Sequence, residues 1–235
     1  MKNKNIVHLP QGELTYSFVW QDEYLFLAGG RVPQTEWLTA ATGTRKIWAI
    51  DGGLNIVRQH NLRSELILGD GDSAAPDVWD WGSRLNVRRL TFPRAKDYTD
   101  MQLALAEADK TGTAAMAVIS GVFGGRFDHL FSTVFSVAAA QTHCCLADET
   151  EIIALIKNGQ QVTFHSSENY APPSVVSLLP LTEMVSGVPT QNLRWNLTDA
   201  ELKLHRPNTV SNEMTAHDFS VSLTDGILGV YMFYG

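Results

Sequence analysis

The amino-terminal part of the chain alternates short, almost wholly apolar runs with helix-like stretches, and that alternation leaves few folds open. Residues 24–30 (YLFLAGG), 46–50 (KIWAI), 65–70 (ELILGD), 86–92 (NVRRLTF), 115–121 (AMAVISG) and 142–147 (THCCLA) read as strands. Several are apolar nearly throughout, the pattern of strands covered on both faces. Between them, residues 100–110 (DMQLALAEADK) and 128–141 (DHLFSTVFSVAAAQ) are the best helical candidates. Strand and helix in turn predict a mostly parallel α/β sheet with flanking helices.

From about Glu151 the pattern changes. EIIALIKNGQQVTFH places Asn158-Gly159 between two β-rich runs, a hairpin signal. SVVSLLPL, LRWNL, AELKLH and DFSVSLTDGILGVYMFY continue as short strands broken by Pro, Gly, Asn and Asp, with no convincing helix. The predicted class is therefore α/β plus all-β. An α/β domain spans residues 1–148 and a C-terminal β-sandwich spans 149–235.

Hydrophobic residues at 44% and charged residues at 18% are an ordinary globular balance. The formal charge of −7 argues against a nucleic-acid partner held by phosphate neutralisation. Small anionic ligands stay open, because a bound divalent cation reverses the local sign. Cys144 and Cys145 are adjacent and so poorly placed for a disulfide. No stretch reaches membrane-spanning length and the first residues lack the apolar core of a signal peptide, so a cytoplasmic protein without a membrane partner is expected.

Carboxylates recur after the predicted strands. KIWAI runs into Asp51-Gly52-Gly53, ELIL into Gly69-Asp70-Gly71-Asp72-Ser73, and NVRRLTF through Pro93 into Lys96-Asp97-Tyr98-Thr99-Asp100. AMAVIS runs into a glycine-rich segment ending Gly124-Gly125-Arg126-Phe127-Asp128-His129. In an open α/β sheet, ligands bind outside the carboxyl ends of the strands. Each carboxylate alone has a plain reading. Asp-Gly makes turns, Asp100 suits the positive end of a helix, and Thr99 with Gln102 fits a capping box. The set is harder to explain that way, since carboxylates converging on one edge repel one another unless a cation intervenes. Mg²⁺ prefers hard oxygen ligands and shares its shell with substrate phosphates. With Lys96 and Arg126 supplying positive charge, the set points to Mg²⁺-dependent chemistry on a nucleotide phosphate. P-loop, dinucleotide-binding and protein-kinase signatures are absent.

The segments DGG (51–53), LGDGDS (68–73), KDYTD (96–100), GGRFDH (124–129), LRW (193–195) and SNE (211–213) stand in the order found in thiamine pyrophosphokinases. The chain resembles that family from Tyr24 to near its carboxyl end. It departs at Gly71, where the family's G-D-x-D-S usually carries an aromatic such as Phe; altered packing with intact metal binding is expected. The resemblance implies transfer of an intact diphosphate from ATP to the hydroxyethyl oxygen of thiamine, releasing AMP. Mg²⁺ as cofactor, a homodimer, and thiamine bound between the domains near the subunit interface are implied with it. Carried onto this sequence, Asp51, Asp70, Asp72, Asp97 and Asp100 are the catalytic carboxylates. Asp70, Asp72, Asp97 and Asp100 are the candidate metal ligands, and Asp97 or Asp100 accepts the hydroxyl proton. Lys96, Gly124, Gly125, Arg126, Asp128 and His129 are expected on the ATP phosphates, Asp128 and His129 alternatively orienting Arg126 or capping the next helix. Trp195, Ser211 and Asn212 are expected on thiamine; without the resemblance, Trp195 reads as core and Ser211-Asn212 as a turn. Two other functions compete: another Mg²⁺-dependent phosphohydrolase or diphosphotransferase on this scaffold, or a non-catalytic nucleotide- or thiamine-binding protein.

Overall fold

The computed structural model describes residues 4–235. Three strands open the chain: β1 (Lys4–Leu9), β2 (Gly12–Trp20) and β3 (Asp22–Leu27). Helices and strands then alternate through α1 (Thr35–Thr42), β4 (Lys46–Ile50), α2 (Gly53–Gln59), β5 (Ser64–Gly69), α3 (Pro76–Ser83), β6 (Arg88–Thr91), α4 (Asp100–Asp109), β7 (Ala115–Ser120) and α5 (Phe127–Ala139). Strands alone follow: β8 (His143–Ala147), β9 (Glu151–Lys157), β10 (Gln161–Ser166), β11 (Val175–Pro180), β12 (Met184–Val188), β13 (Thr190–Gln191), β14 (Ala200–Lys203), β15 (Asp218–Ser222) and β16 (Ile227–Phe233).

Packing divides the chain into two units, residues 21–144 and residues 4–20 with 145–235. In the first, parallel strands run in the order β7-β3-β4-β5-β6. Leu25, Phe26 and Leu27 of β3 and Met116, Ala117, Val118 and Ile119 of β7 are fully buried. That explains their unbroken apolar sequence: neither face of these strands meets water. The chain steps outward from β3 to β6, then returns through α4 to β7 on the opposite side of β3. Helix α2 packs on α3, and α4 on α5. Right-handed crossovers place these pairs on opposite faces of the sheet. The reversal makes a switch point at the carboxyl ends of β3 and β7.

The second unit is the expected β-sandwich, with antiparallel sheets in the orders β1-β2-β10-β15-β13 and β11-β16-β9-β8, and a small β12-β14 pair. Strand β10 shows how its core is filled. Val162 and Phe164 are buried, while Gln161 and His165 are exposed. Phe164 lies opposite Leu14 of β2 on one side and Phe219 of β15 on the other.

Two features differ from the sequence-based expectations. The chain does not divide at 148/149 alone, because residues 4–20 pack with the all-β unit. Val7, Leu14, Tyr16 and Trp20 are all buried, and β2 hydrogen-bonds to β10. The side chain of Gln11, fully buried in the turn, donates to the Asp148 carbonyl at 2.6 Å. Alternation in GELTYSFVW marks a half-buried strand, but of its two partners only β1 is local; β10, which ties it into the all-β unit, lies far along the chain, beyond any local signal. Asn158-Gly159 does turn the chain, with the Gln160 N–H donating to Lys157 O at 2.9 Å. It closes no hairpin, since β9 pairs with β8 and β16 while β10 pairs with β2 and β15. The turn carries the chain from one sheet to the other. Neither cysteine forms a disulfide, and no helix among the described residues is long and apolar enough to cross a membrane.

If residues 4–20 are integral to the β-sandwich, Leu14→Ala opens a cavity in its core. The expected loss is about 2–5 kcal/mol, read by urea denaturation followed by far-ultraviolet circular dichroism. A loss near zero would mean that β2 is a detachable segment.

Candidate active site

Three carboxylates meet at the carboxyl edge of the parallel sheet. Asp51 follows β4, Asp70 follows β5, and Asp100 opens α4 after β6. One oxygen from each lies within 4.8 Å of the others. The backbone forces this convergence. Asp51 adopts a left-handed conformation, φ 47°, its N–H donating to Leu68 O at 2.7 Å and its carbonyl accepting from Leu54 N at 3.1 Å. The chain therefore turns sharply from β4 into α2 while remaining tied to β5. Gly69 makes room for it, since a Cβ there would stand 3.0 Å from Asp51 Cα. Asp100 is set by the predicted capping box: Thr99 Oγ1 accepts from Gln102 N at 3.3 Å, and Gln102 Oε1 accepts from Thr99 N at 2.9 Å.

Lys96 lies among the three. Its Nζ is 2.7 Å from Asp70 Oδ2 and 3.0 Å from Asp100 Oδ1. The side chains are only 13%, 8% and 17% exposed for Lys96, Asp70 and Asp100. Burial alone would raise the Asp70 carboxyl; the hydrogen bonds from Lys96 and from the Asp72 N–H outweigh it and hold the group below its ordinary range. Asp100 goes the other way. Burial raises it most, Lys96 counters, and the negative charges of Asp51 and Asp70 add to the rise. Lys96 loses some basicity to burial but gains more from its two carboxylate partners, and its ammonium is reinforced.

This donor set suits a hard divalent cation. All its ligand atoms are carboxylate oxygens. Asp51 Oδ1 is buried with no hydrogen-bond partner among the described residues, and the Lys96 ammonium pairs with only two of the three carboxylates, Asp70 and Asp100. Of the four predicted metal ligands, Asp70 and Asp100 are in the group. Asp72 and Asp97 fall outside it, and Asp51, predicted as catalytic, takes the third place. Asp72 is exposed and accepts from the Ser73 hydroxyl at 3.0 Å; Asp97 is exposed in the loop before α4.

Gly71 explains its own departure from the family pattern. Its φ is 79°, and a Cβ there would lie 2.5 Å from the indole of Trp79 in α3. The Trp79 indole covers the loop at this point, with the Arg89 guanidinium 4.8 Å from its ring centroid. Asn55 of α2, which the sequence did not single out, steadies the same loop. Its amide oxygen accepts from Ala75 N at 3.1 Å, and its amide nitrogen donates to Ser73 O at 3.4 Å.

At the switch point, Gly30 N donates to Gly121 O at 2.6 Å and Arg31 N to Phe123 O at 2.7 Å. Gly29-Gly30, read from sequence as the end of a strand, instead ties the loop after β3 to the glycine-rich loop after β7. Gly124, Gly125 and Arg126 are exposed just ahead of α5. Asp128 grips Arg126 with both oxygens, at 3.1 Å from Nε and 2.5 Å from Nη2, and Oδ1 also accepts from His129 N at 3.0 Å. The Arg126 hydrogen bonds hold the Asp128 carboxyl below its ordinary range. Asp128 is thus bonded to Arg126, while no side chain caps the start of α5.

Within the β-sandwich, the predicted trio gathers around Trp195. Trp195 is 58% exposed, which rules out a place in the core of this chain. The Asn212 amide clamps the Trp195 backbone, accepting from its N–H at 3.1 Å and donating to its carbonyl at 2.9 Å. Ser211, exposed with φ 62°, donates its N–H to Ser177 Oγ at 3.0 Å. Arg194 lies 5.4 Å from the Trp195 ring centroid and pairs with Glu213 at 2.7 Å. The sequence did not single out Arg194, although it stands in the same LRW segment.

Fold and site define a two-unit protein, a parallel α/β unit with a cation-competent carboxylate cluster and a β-sandwich presenting an exposed aromatic. Residues 39–147 match the profile of the thiamin pyrophosphokinase catalytic domain, and residues 161–228 that of the thiamin pyrophosphokinase vitamin B1 binding domain. Thiamine pyrophosphokinase 2 of Oryza sativa subsp. japonica is 25% identical over 168 residues, covering 67% of this chain and 61% of its own. Thiamine pyrophosphokinase 1 of Arabidopsis thaliana is 20% identical over 176 residues, covering 72% and 66%. The chain thus matches less than two thirds of the length of these curated relatives. Among solved structures, thiamine pyrophosphokinase from Bacillus subtilis superposes with a TM-score of 0.76 at 21% identity, covering 91% of this chain and all of that one. The Candida albicans enzyme gives 0.73 at 16% identity, covering 90% of each chain. The chain belongs to the thiamine pyrophosphokinase family.

Gly71→Phe, which supplies the family's aromatic, meets both the positive φ and the Trp79 indole. It should cost about 2–4 kcal/mol, measured by urea denaturation. Adding Trp79→Ala should recover part of that loss. No recovery would show that the indole is not the obstacle.

Proposed function

We propose that the protein transfers a diphosphate group from ATP to the hydroxyethyl oxygen of thiamine, forming thiamine diphosphate and AMP. The observation that carries the reading is the convergence of Asp51, Asp70 and Asp100, two of them paired with Lys96, at the edge where an open α/β sheet binds ligand. Family membership supplies the substrate class. Asp51, Asp70 and Asp100 would hold Mg²⁺, which supplies positive charge to the phosphate oxygens when bound. Attack falls on the β-phosphorus, so AMP leaves and negative charge grows on the oxygen bridging the α- and β-phosphorus atoms. Lys96 and Arg126 answer that charge, Arg126 with a planar fork that Asp128 already orients.

The thiamine hydroxyl must lose a proton as it attacks. Asp97, exposed and outside the converging group, keeps its carboxylate for that proton, while Asp100 is engaged by Lys96. Trp195 offers its face to the cationic thiazolium, an interaction of about 1–2 kcal/mol when desolvated. The role given to Asn212 is to position Trp195, whose backbone N–H and carbonyl its amide bonds. A homodimer in the cytoplasm completes the proposal, on the strength of the family resemblance.

Incubation with ATP, Mg²⁺ and thiamine, with products separated by mass, tests the reaction. AMP and thiamine diphosphate are expected; ADP with thiamine monophosphate would refute it. Asp70→Asn should lower kcat by at least about a hundredfold with little change in the melting transition. An active Asp70→Asn enzyme would remove the carboxylates from the chemistry. Trp195→Ala should raise the KM for thiamine about tenfold and leave that for ATP within about twofold. Equal changes in both would take Trp195 off the thiamine site.

A further inference from the structure

We infer that Lys96 is a resident substitute for the metal, its ammonium keeping the carboxylates gathered until a divalent cation enters and then moving to phosphate. The inference rests on the proposed reading of Asp51, Asp70 and Asp100 as the cation site. Three carboxylates with oxygens within 4.8 Å repel one another strongly in a poorly hydrated site. Lys96 relieves that repulsion from within, at 2.7 Å from Asp70 and 3.0 Å from Asp100. Its neighbours Arg94, Ala95, Asp97, Tyr98 and Thr99 are exposed, and Lys96 alone in that run is sequestered. The segment lies between β6 and α4, outside regular structure, so the side chain can change partners without unwinding either.

A divalent cation on the same oxygens would stand within a few ångströms of the ammonium. The two cannot share Asp70 and Asp100 without strong repulsion, so metal entry must expel Lys96. The expelled ammonium needs a new anion, and a polyphosphate arriving with the metal supplies one. Metal alone therefore competes with Lys96, whereas metal and nucleotide together do not. Lys96 thereby couples occupation of the cation site to the presence of nucleotide and keeps the empty site assembled.

Isothermal titration of the nucleotide-free protein with Mg²⁺ tests this. Lys96→Gln should bind Mg²⁺ about tenfold more tightly than the wild type, because its competitor is gone. Unchanged or weaker binding would overturn the inference, and weaker binding is what a merely structural lysine predicts. Asp51→Asn separates the two levels of the argument. If it binds Mg²⁺ as the wild type does, the cation site itself is wrong and the inference falls with it. If it loses Mg²⁺ while Lys96→Gln gains nothing, the inference alone falls. Should Lys96→Gln not fold, reductive methylation of the wild type read by peptide mass gives the same answer. Lys96 should be protected in the metal-free protein and become reactive when Mg²⁺ is added; equal reactivity in both states overturns the proposal.

Discussion

The repulsion among Asp51, Asp70 and Asp100 is the constraint around which the α/β unit is organised. Their oxygens lie within 4.8 Å, and two of the side chains are more than four-fifths buried. Such a group is stable only if something cationic enters it. In the protein by itself that is Lys96. The same cluster shows how proximity divides chemically identical groups: Asp70, hydrogen-bonded twice, is held below its ordinary range, whereas Asp100 is lifted above it.

Keeping the carboxylates in place falls to groups that carry no charge. Gly69 lets the loop after β4 lie against β5, the capping box of α4 aims Asp100, and Asn55 ties down the loop after Asp72. Gly71 belongs to the same framework. Where the family usually carries an aromatic, a side chain at 71 would meet the indole of Trp79 from α3. In the β-sandwich, Asn212 does for Trp195 what these groups do for the carboxylates, holding the backbone so that the ring stands exposed.

Much of this was legible in advance because the signals are local. Apolar runs such as KIWAI and AMAVIS announce strands covered on both faces, and the aspartates that follow them sit where loops must emerge. Thr99 and Gln102 read as a cap and are one. What was hidden is non-local. The alternation in GELTYSFVW marks a strand, but nothing nearby says that it will pair with residues 162–166. Asn158-Gly159 signals a reversal of the chain, but not whether the strands it joins share a sheet.

The sequence by itself determined the class of fold, the family and the stock of acidic, basic and aromatic groups, because periodicity, turn chemistry and motif order are properties of neighbouring residues. Only the tertiary structure decided which of five aspartates converge, exchanging Asp72 and Asp97 for Asp51. It also decided that Trp195 faces outward and that Lys96 lies among the acids. The physical reason is geometric: a carboxylate one or two residues removed along a loop points elsewhere, and the distances between strand ends are set by sheet order, which no short segment encodes.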